Sequence, residues 1–387
     1  MKHTVDVAII GASVGGATAA LHLARAGYSV LLCDKAAFPR KKACGEGLSH
    51  IALNELLAIG IDVQKEGAPS VPYYGFSFFE KSRRETLRLS EEPSKPHGIG
   101  IGRFYLDELL IQNARAAGAD VILGVAPQVN HHENFVEIML CDKSYRCRSL
   151  ILATGAYSRF PRELRIPEER QKKERLAVRI EAHVSTSNLE GLLPVVIEND
   201  FQAVCTPIAP DALTIGLMAT AHGETNINAT GLVNIIKRIE DVLGCKLEIS
   251  GETHGAPSIG SVRRPAVYKN IFCIGDASSQ LDPIGGMGMT QAILTARVTA
   301  ETIARSFRCQ DFSERVMAKN HIQNICNVVR PLKGYTLLSY MSLSNALGRE
   351  TLGRIKTSFL AKQTMSAQSD RILPLSRALL SVAGRLS

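Results

Sequence analysis

Val5-Asp6-Val7-Ala8-Ile9-Ile10-Gly11-Ala12-Ser13-Val14-Gly15-Gly16, followed by Ala17, Ala20, Leu21 and Ala24 at helical spacing, decides the fold of this chain. The apolar run Val5, Val7, Ala8, Ile9 and Ile10 predicts a buried parallel strand, and the positions after Gly16 predict a helix that Gly27 stops. A second strand, Ser29-Val30-Leu31-Leu32-Cys33, ends on Asp34, close to the roughly 20-residue spacing at which an acid accepts ribose hydroxyls in a dinucleotide fold. Gly11 permits the tight turn, and Gly16 lets helix and strand pack closely. The free N–H groups around Ser13, Val14 and Gly15 then face a pyrophosphate. Ser13 stands where the fingerprint has its middle glycine, with a hydroxyl that can lie beside a phosphate, and Lys35 adds a cation next to Asp34.

A second signature selects the dinucleotide. Asn270-Ile271-Phe272-Cys273-Ile274 reads as a buried strand ending in Gly275-Asp276-Ala277, and Asp282-Pro283-Ile284-Gly285-Gly286-Met287-Gly288-Met289 leads into a helical run through Ala292, Leu294 and Ala296. A carboxylate at a strand end suits a ribityl chain, and a glycine-rich helix start admits a flat ring. Asp276 is therefore expected on the ribityl chain, and Pro283, Gly286, Met287, Gly288 and Met289 near the N1/C2 edge of a flavin. There the positive end of the helix dipole stabilises the charge of the reduced ring. NAD needs no such second site, so the expected cofactor is FAD.

With these motifs in this order, the chain from Val5 to about Ala300 resembles the FAD-dependent monooxygenases of the para-hydroxybenzoate hydroxylase fold. The resemblance is closest to the branch that also contains geranylgeranyl reductases and flavin-dependent halogenases. It implies a cofactor contact for Arg103, which leads Gly102-Arg103-Phe104-Tyr105-Leu106, and an adenine contact near Val125. Thr154-Gly155 matches a turn where many relatives carry Asp-Gly, a motif linked to FAD and NADPH; Thr154 replaces the acid, which leaves the NADPH contact open. The family places a Lys-x-Cys-Gly loop beside the flavin, here Lys42-Ala43-Cys44-Gly45. Lys42 then binds cofactor phosphate or an anionic substrate, while Cys44 and Glu46 are the candidate catalytic residues. Their bland alternatives are a small buried thiol and a carboxylate paired with Lys42.

Val71–Leu89 and Leu176–Leu217 alternate apolar and polar positions, which predicts an antiparallel sheet with one buried face. By resemblance that sheet roofs the flavin and binds an organic substrate through Leu48, Val204, Thr206, Pro207 and Gly216. Geranylgeranyl reductases carry an aromatic-rich strand ending in Phe-Pro, then Gly-x-Gly. Pro207 and Gly216 keep that frame, but Gln202, Val204 and Thr206 hold the aromatic positions and Met218 the last glycine. The halogenase signature requires two tryptophans in this domain, and the chain has none.

The expected architecture is α/β: a discontinuous Rossmann-like FAD-binding domain (1–70, 98–160, 258–310), an antiparallel β-sheet substrate-binding domain (71–97, 161–257), and a helical C-terminal region (311–387). Nine cysteines without a paired Cys-x-x-Cys argue against a disulfide framework and a zinc site, and fit a reducing cytoplasm. His131-His132 reads as a loop pair rather than a metal site. The first strand begins almost at once, leaving no room for a targeting peptide. The net charge of +8 is dispersed over Arg40-Lys41-Lys42, Arg83-Arg84, Arg263-Arg264 and the tail, read first as solvated faces; with 5% aromatic residues no nucleic-acid platform emerges. Ile372, Leu375, Leu379 and Val382 share one face of a basic tail helix, suited to docking on its own domain or a dimer partner, or to peripheral membrane contact.

The leading functional expectation is an FAD-dependent monooxygenase of secondary metabolism. It would use NAD(P)H as electron donor and hydroxylate or epoxidise an aromatic or polyketide-like molecule through a flavin C4a-hydroperoxide. The alternative is reduction of prenyl carbon–carbon double bonds, with halogenation behind both.

Overall fold

The computed structural model describes residues 2–80, 83–171, 175–184, 189–198, 201–220, 229–256, 261–281, 283–310, 317–318 and 321–333. The expected Arg371–Leu386 helix, with its membrane or dimer contact, lies outside the described residues, as does Asp282. The chain forms two compact units, one of Met1–Pro39, Asp107–Arg170 and Ser261–Ser387, the other of Arg40–Leu106 and Gln171–Gly260.

The first unit is built on strands whose central runs, Val7–Ile10, Val30–Cys33, Leu150–Leu152 and Ile271–Cys273, are apolar and buried, as burial on both faces requires. Lys2–Ile10 pairs in parallel with Val30–Asp34 on one side and Lys143–Leu152 on the other. Asp120–Leu123 and Ile271–Cys273 extend the parallel sheet at its two ends. An antiparallel flap of Gln128–His131 and Val136–Leu140 pairs back onto Lys143–Leu152. Ala8, Ile10, Leu31, Cys33, Leu150, Leu152 and Ile271 form one continuous core. His131, expected in a loop, ends a strand, and its Nε2 lies 2.9 Å from Asn270 Oδ1.

The first strand passes to the helix Val14–Arg25 through a turn with no room for side chains. Gly11 has φ 105°, and a Cβ on Gly16 would lie 1.7 Å from the Gly11 carbonyl oxygen. Ala17, Ala20, Leu21 and Ala24 are all buried, and the helix ends before Gly27, which has φ 86°. Sequence pattern and structure coincide here because the backbone itself dictates the residue types.

The second unit holds a seven-stranded sheet in the order Glu248–Ala256, Arg175–His183, Ala212–Thr220, Phe201–Ala209, Leu192–Ile197, Gly75–Glu80, Arg83–Arg88. It departs from the expected antiparallel pattern at one place, where Leu192–Ile197 runs parallel to Gly75–Glu80. The helix Ala229–Leu243 covers one face, where Ile235 and Ile239 pack on Ile180, Leu213, Ile215 and Ala203. A three-stranded sheet of Gly47–Ser49, Gly98–Ile101 and Ser70–Tyr73 contacts the strand Phe201–Ala209. Residues 40–70 and 98–106, grouped by sequence with the cofactor domain, therefore cluster with the second unit.

Two outcomes follow from this packing. Gly16→Ala is expected to cost at least about 2 kcal/mol, because only backbone movement relieves the clash; urea unfolding of the apoprotein measures it. Burial also pushes the imidazoles of His97 down to about 3, and of His22 and His321 down to about 4. Each takes up a proton near pH 6.5 when unfolded but not when folded, so stability is full above that value and falls as the pH drops toward 4. The urea midpoint should fall over this range, and His97→Gln should flatten the slope.

Candidate functional site

In the first unit the two glycine motifs come together. Asp34, at the end of its strand, accepts the Ala12 N–H at 2.8 Å through Oδ2 and the Ala36 N–H at 2.9 Å through Oδ1, which fixes the carboxylate beside the Gly11–Gly16 turn. The Val125 N–H donates to the Asp34 carbonyl at 3.2 Å, placing Val125 next to the same strand end, while Lys35 is exposed. On the other side of the sheet centre, Gly275 begins a short turn that carries Asp276. The helix Gly288–Cys309 holds that turn: Thr295 Oγ1 accepts the Gly275 N–H at 3.0 Å, and Gln291 Nε2 donates to the Ser279 carbonyl at 2.6 Å. Ala292 of that helix packs against both Gly15 and Gly275.

Both helices, Val14–Arg25 and Gly288–Cys309, lack an acid in the first turn. Neither helix therefore places a carboxylate of its own over its positive end. Pro283 is half-buried, and Met287 and Met289 are buried, but Gly286 and Gly288 are exposed with open space where a Cβ would stand. The same openness holds over Gly155, and the Thr154 Oγ1 beside it is buried without a partner among the described residues. An oriented carboxylate, bare helix starts and open glycines fit FAD. The Ser13 hydroxyl, expected beside a phosphate, donates to Asp107 Oδ2 at 3.0 Å, and Ser13 makes no side-chain cap bond to its helix. Of the basic pairs read as solvated, Arg263 is exposed but Arg264 is buried.

In the second unit the candidate loop is held by its glutamate. Glu46 has φ 57° between Gly45 and Gly47, and only 1% of it is exposed. Its Oε1 accepts the Arg103 backbone N–H at 2.9 Å, and its Oε2 accepts Arg179 Nη2 at 2.9 Å and the Thr214 hydroxyl. Arg179 Nη2 also reaches Glu181 Oε2 at 2.9 Å, which Lys41 Nζ meets at 2.8 Å. Burial alone opposes the Arg179 charge, but Glu46 and Glu181 outweigh it and hold the guanidinium above its ordinary value. For Glu181 burial likewise works toward the neutral form, yet Lys41 and Arg179 bring the carboxyl below its usual range. The alternative weighed for Glu46, a pair with Lys42, gives way to a pair with Arg179. One sequence signal pointed to it: Arg179-Ile180-Glu181 alternates, which puts both charged residues on the face opposite the buried Ile180. Cys44 is half-buried, and its Sγ accepts the Glu46 N–H at 3.4 Å.

Among the expected substrate residues, Leu48, Thr206 and Pro207 are buried by protein. A Cβ on Gly100 would meet the Pro207 carbonyl at 1.9 Å, so the strand Gly98–Ile101 lies directly on them. Val204 and Gly216 stay half-buried. They belong to a row of directly opposed residues, Phe78, Val195, Val204, Gly216 and Arg179, across five neighbouring strands. The row grades from aromatic and aliphatic to charged on the sheet face opposite the helix.

The glycine turn, the strand-end acid and the second glycine-rich helix start define a dinucleotide-binding α/β protein. The chain matches the family model described as FAD binding domain over residues 4–314, and it belongs to that family. It is accordingly a flavin-dependent oxidoreductase. It is 28% identical to a menaquinone reductase of Mycobacterium tuberculosis, over 78% of this chain and 76% of the relative. It is 25% identical to a digeranylgeranylglycerophospholipid reductase of Thermoplasma volcanium, over 82% of each. Among solved structures it shares its fold with a probable FAD-dependent monooxygenase from Pseudomonas aeruginosa, with TM-score 0.76 and 18% identity over 91% of this chain and 100% of that one.

Removing Glu46 takes away the buried counter-ion of Arg179 but leaves Glu181 beside it at 2.9 Å. Glu46→Ala is therefore expected to cost about 1.5–3 kcal/mol in urea unfolding, and Glu46→Gln clearly less. A cost below about 1 kcal/mol for the alanine variant would mean that the pair does not hold this loop.

Proposed function

We propose that this protein is a flavin-dependent reductase of carbon–carbon double bonds in an isoprenoid lipid. The observation that carries the reading is the pair of relatives matched over about four-fifths of this chain, at 28% and 25% identity, both named as reductases of molecules that bear isoprenoid chains. The Phe78–Val195–Val204 row agrees with it, since hydrocarbon gains most from aliphatic and aromatic surface. When bound, FAD supplies the two-electron reducing equivalent, and NAD(P)H is the proposed donor that replenishes it.

The residues of the first unit bind and orient in this reading. Gly11, Ser13, Val14, Gly15, Gly16 and Asp34 take the adenosine and pyrophosphate end with Lys35 and Val125. Asp276, Pro283, Gly286, Met287, Gly288 and Met289 take the flavin end, with Thr154 and Gly155 as further contacts. Reduction of an alkene also needs a proton at the second carbon. Cys44 is the proposed donor, with its thiol oriented by the Glu46 N–H. Glu46 is a positioning residue, because its oxygens are occupied by Arg103, Arg179 and Thr214.

Monooxygenation of an aromatic or polyketide-like molecule stands as the second reading. It is favoured by Gln202, Val204 and Thr206 in place of the aromatic residues of the prenyl-reductase strand. One experiment separates the two. The photoreduced protein is mixed anaerobically with a prenylated quinone in detergent micelles, and flavin absorbance and product mass are followed. Reoxidation with a lipid product heavier by one pair of hydrogens is expected, and Cys44→Ala should slow it about 100-fold with the bound-flavin spectrum unchanged. No anaerobic reoxidation, together with oxygen-dependent hydroxylation of a phenolic compound, would replace the reductase by the monooxygenase.

A further inference from the structure

Arg264 lies three residues past the Ser261 start of the last segment of the first unit, and it is 4% exposed. Its guanidinium reaches three residues at once. Nη1 donates to the Ala277 carbonyl at 2.8 Å, Nη2 to the Ala156 carbonyl at 2.7 Å, and Nε to Glu168 Oε2 at 2.9 Å. The backbone N–H of Arg264 donates in addition to the Ser278 carbonyl at 2.7 Å. Glu168 is fixed from its other oxygen by Arg170 Nη2 at 2.9 Å. Burial pushes the Glu168 carboxyl up, but the two arginines more than reverse this and leave it below its usual range.

The two carbonyls are not arbitrary. Ala156 follows Gly155, which has φ 76° at the turn after the strand Lys143–Leu152; Ala277 follows Asp276 at the turn after Ile271–Cys273. The strands themselves are joined by sheet pairing as far as Leu152 and Cys273. Beyond that point Arg264 spans the turns that carry Thr154–Gly155 and Asp276. A planar guanidinium can address two carbonyls and a carboxylate simultaneously, whereas an ammonium on a flexible stem cannot hold the same fork.

We propose that Arg264 is a positioning residue for the cofactor: it sets the separation of the Thr154–Ala156 and Gly275–Ala277 turns, and through them the seat of the FAD. The inference rests on the assignment of these turns to FAD and is independent of the substrate. Charge-assisted hydrogen bonds of this kind are worth enough that their loss at two points should be read directly in affinity.

The test is titration of apoprotein with FAD, followed by flavin fluorescence, for the wild type, Arg264→Lys and Arg264→Met. The melting temperature of each apoprotein is recorded beside it. At saturating FAD the visible band shape and the midpoint potential are compared. Arg264→Met is expected to weaken FAD binding about tenfold or more and to alter band shape and potential, with Arg264→Lys intermediate because it reaches one carbonyl. A residue that only supports the fold would lower the melting temperature while leaving the affinity, the band shape and the potential of the bound flavin unchanged, and that result overturns the proposal. If Arg264→Met does not fold, Arg264→Lys decides: wild-type affinity and spectrum in that variant overturn the proposal too. A wild-type protein that takes up no FAD would sink the cofactor assignment with it, whereas unchanged binding across tight-binding variants sinks the role of Arg264 alone.

Discussion

The methyl group of Ala292 touches both glycine motifs. A Cβ on Gly15 or on Gly275 would stand 3.3 Å from it, so neither position has space to spare for a side chain. This contact brings the helix Val14–Arg25 against Gly288–Cys309 and thereby joins two stretches far apart in the sequence. Two helices with no acid in their first turns then belong to one compact unit. Their partial positive charges favour a dianionic pyrophosphate at one and a ring that becomes anionic on reduction at the other. Small residues are required at the crossing because the polarity of the site depends on how closely the helices approach.

The second unit solves a different problem, that of keeping a glutamate in the left-handed region inside a glycine-flanked loop. Backbone strain of this sort costs on the order of 1–3 kcal/mol and persists only where the surroundings over-determine it. Glu46 is over-determined by three donors from three separate elements. The outer pair, Lys41 with Glu181, is partly exposed and contributes little by itself. The inner pair, Arg179 with Glu46, is dry, and the hydrogen bonds of Thr214 and the Arg103 N–H offset its desolvation. Loop geometry around Cys44 therefore depends on a charge located on a strand of the large sheet.

What was legible in the sequence and what was not divide along physical lines. Gly11, Gly16 and Gly275 could be read because backbone geometry admits few residue types at those places, and the restriction shows locally. The alternation of Arg179-Ile180-Glu181 gave the face of each residue but not its partner, since the partner depends on where residues 40–46 cross the sheet. Arg264 was read as solvated because nothing in the local pattern separates it from Arg263, which is exposed; burial is decided by the carbonyls of two remote turns. Ser13 illustrates the reverse case, in which a residue placed correctly in its motif spends its hydroxyl on Asp107. The parallel pairing of Leu192–Ile197 with Gly75–Glu80 escaped the same reading, because alternation reports burial and not direction.

The missing aromatic residues on the strand Phe201–Ala209 are the strongest sequence argument against isoprenoid chemistry, and packing weakens it. Thr206 is fully buried, and its Cγ2 would lie 2.8 Å from a Cβ on Gly100. A larger side chain at 206 would have to displace the strand Gly98–Ile101 that covers it. The crossing is thus a packing reason for a small residue here. At Val204 the constraint is absent, since the side chain is half-buried in a row with Phe78 and Val195. An apolar surface at this point suits an aliphatic chain without the stacking that a flat aromatic substrate would exploit. Packing under Gly98–Ile101 thus accounts for the small residue at 206, while Val204 keeps an apolar position on the open row.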